Sequence, residues 1–132
     1  LSNVKLSCKL FKKEIEVKIK IKDIEKERIF NNLSYKEIGE KLGVTKQYLS
    51  FICNRPRNKP SEVRHQLLIE FNKIKKDYPI NLQMRIKRRL LKQTQAEVAK
   101  NVGTFASVVT RIENGDLKHS VFVKRILDYL EV

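Results

Sequence analysis

The sequence predicts an all-α fold made of two successive helical units. Three observations carry that expectation. The chain comes into register with itself after a shift of sixty residues. Within each copy, apolar residues recur at helical spacing. Each copy also opens on a helix-capping residue, Ser34 or Thr94, and carries a glycine nine positions later. Under the shift Glu37 falls on Glu97, Ile38 on Val98, Gly39 on Ala99, Leu42 on Val102 and Gly43 on Gly103. Leu49, Ser50, Ile52 and Asn54 fall on Val109, Thr110, Ile112 and Asn114. Few of these are identities, but they stand where packing and backbone geometry restrict the choice.

The elements follow in chain order. Residues 1–16 fit neither copy. Ile15, Val17, Ile19 and Ile21 alternate with Glu16, Lys18 and Lys20, the pattern of a short N-terminal β-strand. A sharper reading takes residues 1–16 as a non-native, poorly ordered extension. Lys12-Lys13-Glu14 can be encoded by a ribosome-binding purine run, placed suitably before a GTG start at Val17. Ile21, Ile24 and Ile29 then mark a lead helix. Ser34 and Glu37 form a capping box, and Ile38 and Leu42 share a face. Gly43 ends the helix where positive φ is needed. Thr45 caps the next helix, whose inner face is Leu49 and Ile52.

A loop over residues 54–60 leads to a Ser61-capped helix with Val63, Leu67, Leu68, Phe71 and Ile74, and residues 75–79 form the junction. The second copy repeats the plan. Met84, Ile86, Leu90 and Leu91 lead in, Thr94 and Glu97 cap, Val98 and Val102 pack, Gly103 turns, and Val109 and Ile112 face inward. After the loop at Asn114, Gly115 and Asp116 comes a Ser120-capped helix with Val121, Phe122, Ile126, Leu127 and Leu130. Gly39 and Ala99 stand where a larger side chain would push two helices apart. A small residue, then Gly four later, then an aliphatic six beyond is the steric signature of a helix-turn-helix. The expected domains are residues 17–79 and 80–132.

Charge bounds the partner. There are 29 Lys and Arg against 15 Asp and Glu, a net +14, and both halves are basic. Such an excess favours a polyanion, nucleic acid ahead of an anionic membrane. No apolar run approaches the ~20 residues of a spanning helix. Cys8 and Cys53 are too far apart for a metal motif, and His65 and His119 are isolated, so no metal and no cofactor are expected. Neither a phosphate-binding glycine loop nor a nucleophile with a base is present, which argues against an enzyme.

Residues 94–103 (TQAEVAKNVG) followed by 111–115 (RIENG) resemble the phage repressor and Cro family, the xenobiotic-response-element type of helix-turn-helix. Residues 34–54 (SYKEIGEKLGVTKQYLSFICN) are similar but lack the closing Glu and Gly. The resemblance implies two tandem lambda-repressor-like domains that bind an operator in double-stranded DNA, with no small-molecule effector. It also implies a cytoplasmic, nucleoid-associated repressor from a phage or other mobile element. With the sequence read to Val132, no separate C-terminal dimerisation domain is expected. Two motifs in one chain then substitute for a dimer, or the tandem unit forms a homodimer.

In this family the second helix of the motif enters the major groove. That maps base reading to Lys46, Gln47, Ser50 and Phe51 in the first copy and to Ser107, Thr110 and Arg111 in the second. The expected phosphate contacts are Tyr35 and Gln95, Arg55, Arg57 and Lys59, and Arg88 and Lys118. Phe105 and Val108 give the second copy an apolar leading end, suited to thymine methyls or to a protein partner. The competing reading is an antirepressor-like protein-interaction module that uses the motif as a scaffold.

Overall fold

The computed structural model describes residues 20–116, 118 and 120–132. Among these it is all-helical, without a strand. The elements are α1 (Ile21–Phe30), α2 (Tyr35–Leu42), α3 (Lys46–Asn54), α4 (Pro60–Ile74), α5 (Ile80–Leu90), α6 (Gln95–Val102), α7 (Ala106–Glu113) and α8 (Ser120–Leu130). Single 3-10 turns stand at Pro56–Asn58 and Lys75–Asp77. The expected strand and the Val17 start lie outside the described residues, save that Ile21, the last of the alternating set, opens α1. Among the described residues no helix is long and apolar enough to cross a membrane.

The chain divides into two compact units, with the boundary between Val63 and Arg64. This places the division inside α4 and not at Pro79. The first turn of α4 is hydrogen-bonded back to the preceding loop, Glu62 N and Val63 N donating to the Lys59 carbonyl at 3.1 and 3.2 Å.

In the first unit α1, α2 and α3 pack on one another around Ile24, Ile38, Leu49, Ile52 and Cys53. Each fully buried aliphatic such as Leu49 contributes about 1.5–3 kcal/mol. Both short helices start as the sequence predicts. Ser34 Oγ accepts from Glu37 N, and Thr45 Oγ1 accepts from Tyr48 N, each at 3.1 Å. Helix α2 ends on Gly43 at φ 73°, a left-handed conformation that a Cβ would strain.

Gly39 answers a different need. A Cβ built there would lie 2.5 Å from the Val44 carbonyl oxygen, which belongs to the turn itself. Gly39→Ala is therefore expected to cost about 1–2 kcal/mol, the low end for overpacking. The turn has room to give, since Ala99 occupies the corresponding place in the second unit. A urea titration reads this directly, and an unchanged midpoint would mean the turn moves freely.

In the second unit α5, α6, α7 and α8 pack around Met84, Val98, Ala99, Val102, Val109, Ile112, Ile126 and Leu130. Thr94 Oγ1 caps α6 by accepting from Glu97 N at 3.1 Å, and Gly103 ends it at φ 80°. Helix α4 buries Leu67 and Phe71. Val108 departs from expectation: it is half-buried and packs against this core. It stands four residues before Ile112, on the flank of the inward stripe, so the apolar leading end of α7 reduces to Phe105.

Candidate nucleic-acid interface

Helix α3 buries Leu49, Ile52 and Cys53 on one side, which forces the intervening residues outward. Lys46 and Gln47 are exposed in its first turn. Phe51 follows one turn later, 60% exposed, with the Arg55 guanidinium 5.3 Å above its ring. Ser50 is half-buried, and its carbonyl and hydroxyl both lie against the Asn54 amide, at 2.8 and 3.5 Å. The 3-10 turn is tied down by Asn58 Nδ2 donating to the Ile52 carbonyl at 2.7 Å. This fixes Arg55, Arg57 and Lys59 as a short exposed basic loop directly after α3. Seven of the residues expected in the first unit are thus brought to one helix and its outgoing loop.

Tyr35, the eighth, stands at the start of α2 but does not present its hydroxyl. That O–H donates to Glu25 Oε1 at 2.8 Å, with the Arg28 guanidinium 5.2 Å over the ring. A phosphate contact through the phenol would require giving up that bond. Burial first, and then the Glu25 carboxylate, push the Tyr35 pKa well up. The same two causes push the Cys53 thiol up to about 12. Cys53 is a buried free thiol kept neutral by its surroundings.

The second unit is organised around a buried carboxylate. Glu113 is 3% exposed and takes two bonds from Arg88, from Nε at 2.6 Å and from Nη2 at 3.0 Å. A third comes from Gln95 Nε2 at 3.1 Å. Arg88 also donates from Nη1 to the Gln93 carbonyl at 2.8 Å, and Gln93 Oε1 accepts from Tyr129 Oη on α8 at 2.8 Å. Arg88, expected at a phosphate, has its side chain 12% exposed and its three nitrogens engaged within this network, where it ties α5 to α7. Thr110 is likewise turned inward. Its hydroxyl lies 2.6 Å from Gln95 Oε1 and 3.0 Å from the Ala106 carbonyl, so its one proton is spent within the unit. Gln95, half-buried, keeps its second amide hydrogen. Ser107, Arg111 and Lys118 are exposed, and Phe105 is 77% exposed.

The two units solve one problem differently. Arg28 and Arg88 stand in register, as do Tyr35 and Gln95. In the second unit the carboxylate that holds both comes from α7, at Glu113; in the first that position is Cys53, and the carboxylate comes from α1, at Glu25. The second unit has Arg85 where the first has Glu25. The sequence marks Glu113 only as the Glu of the closing Glu-Asn-Gly and does not mark Glu25. The signal was present in the sixty-residue register as an acid exchanged between two positions facing one arginine. Compared with protein-family models, with curated proteins and with solved structures, the chain matches none of them.

Proposed function

We propose that this chain is a sequence-specific, non-enzymatic transcription regulator that binds double-stranded DNA through two tandem helix-turn-helix units of the repressor and Cro kind. The working setting is the cytoplasm, on the nucleoid, as a repressor from a phage or mobile element. One observation carries the reading. Helix α3 starts at a side-chain-capped turn, exposes Lys46 and Gln47 at its leading end, and runs into the exposed Arg55, Arg57 and Lys59. In a chain of net charge +14, that arrangement suits a helix laid in the major groove with a basic loop on the sugar-phosphate backbone. Gln47 has the two-point geometry for adenine, and Lys46 donates to guanine.

Gln47→Ala is expected to cost about 1–3 kcal/mol against the cognate base pair and little against a scrambled duplex. Arg57→Ala is expected to weaken all duplexes alike and to flatten the salt dependence. The test is selection of bound duplexes from a random pool, followed by affinity at two salt concentrations for the chain and each variant. Preference unchanged in the Lys46→Ala, Gln47→Ala double variant, but lost in Arg111→Ala, would hand the reading role to the second unit. The second reading, a protein-interaction module, draws on the exposure of Phe105. It predicts partner binding that is insensitive to salt.

A further inference from the structure

Phe105 breaks two local rules at once, and the fold gains nothing from either. It occupies the N-cap of α7, where its side chain makes no capping bond. The first unit has Thr45 in the corresponding place, and there the hydroxyl caps α3. An N-cap that cannot accept a hydrogen bond weakens a helix. The ring is also 77% exposed, the largest exposure among the big apolar side chains described. Its neighbour Val108 is drawn into the core, so the ring is not the edge of a wider apolar patch left by loose packing. Local rules broken without a folding return point to function.

The rest of the α7 surface narrows what that function is. Thr110 spends its hydroxyl on Gln95 and Ala106, and Ala106 has no polar side chain. Arg111 and Ser107 are the polar side chains left exposed along the helix, and the exposed Lys118 follows. Residues 80–132 carry ten basic against five acidic residues, so a polyanion is favoured over an apolar protein face. The one apolar group that double-stranded DNA displays in its major groove is the thymine 5-methyl. We propose that Phe105 reads thymine methyl groups, so that the second unit selects a thymine-containing step beside the base pair contacted by Arg111. This rests on the reading of the chain as a major-groove DNA binder.

The experiment uses the full chain and a duplex recovered from the random-pool selection, resynthesised with deoxyuridine in place of thymidine one step at a time. Removing one contacted methyl is expected to weaken binding about fourfold, the factor that matches burial of one such group. Phe105→Ala is expected to bind the thymidine duplex as weakly as the chain binds the deoxyuridine one, and to be indifferent to the exchange. Phe105→Ser supplies at the N-cap of α7 the hydroxyl that Thr45 supplies in the first unit, without adding a methyl. It is expected to raise the melting midpoint by about 2–8 °C while losing the methyl discrimination, which separates reading from stability. A chain that binds its selected duplex specifically but ignores every thymidine-to-deoxyuridine exchange overturns the inference and leaves the DNA-binding reading standing. The same holds if Phe105→Ala keeps full affinity and discrimination, which assigns the ring to a protein partner. Failure to enrich any duplex from the pool overturns both.

Discussion

Glu113→Ala is expected to destabilise the second unit by about 3–5 kcal/mol, the cost of removing one partner from a buried ion pair. The carboxylate is the common acceptor for Arg88 and Gln95, and its loss leaves the Arg88 guanidinium buried without a counter-charge. The damage is not confined to one bond. Arg88 also holds the Gln93 carbonyl, and Gln93 in turn holds Tyr129 of α8, so four elements meet at this network. Replacing both members, Arg88→Met with Glu113→Leu, is expected to recover most of the loss, because desolvation offsets much of the pair's attraction. Urea denaturation followed by helical circular dichroism measures both. A single variant costing under about 1 kcal/mol would place the pair in the class of surface bridges.

Glu25→Ala is expected to cost the first unit about 2–3 kcal/mol, somewhat less than a fully buried pair. Its Arg28 partner keeps 28% of its side chain in water, which softens the loss of the counter-charge. The same variant has a chemical signature. Glu25 is the second cause, after burial, of the raised Cys53 pKa of about 12, so its removal lowers that value and speeds thiol alkylation in a Cys8→Ser background. The pH dependence has a definite sign. The unfolded thiol titrates near 9.0 and the folded one near 12. Stability from this group is therefore complete below pH 9.0 and declines as pH climbs towards 12, since the unfolded chain releases a proton that the folded chain keeps. The Tyr35 hydroxyl, raised in the same direction, steepens the alkaline limb. Alkaline unfolding of Cys53→Ala is expected to be shallower, and an identical slope would exclude the thiol as its source.

The caps at Ser34, Thr45 and Thr94, the left-handed glycines at 43 and 103, and the inward pairs Leu49 with Ile52 and Val109 with Ile112 were all legible in the sequence. Each depends on residues within one or two turns of one another, where backbone sterics and helical period leave few choices. The exposed basic loop after α3 was legible for the same reason: a run between two prolines has no apolar residue with which to enter a core. Tertiary packing alone decided which cation of Arg85, Lys87, Arg88 and Arg89 would pair with Glu113, because that depends on how α5 is rotated against α7. It also decided that Val108 sits on the core side of α7 while Phe105, three residues earlier, stays in water. Above all it decided where Arg88 finds its carboxylate, twenty-five residues away on α7, whereas the Arg28 pair closes three residues apart within α1. A charge pair is a matter of distance in space. The sequence specifies that distance within a helix but not between helices, whose spacing is set by every side chain packed between them.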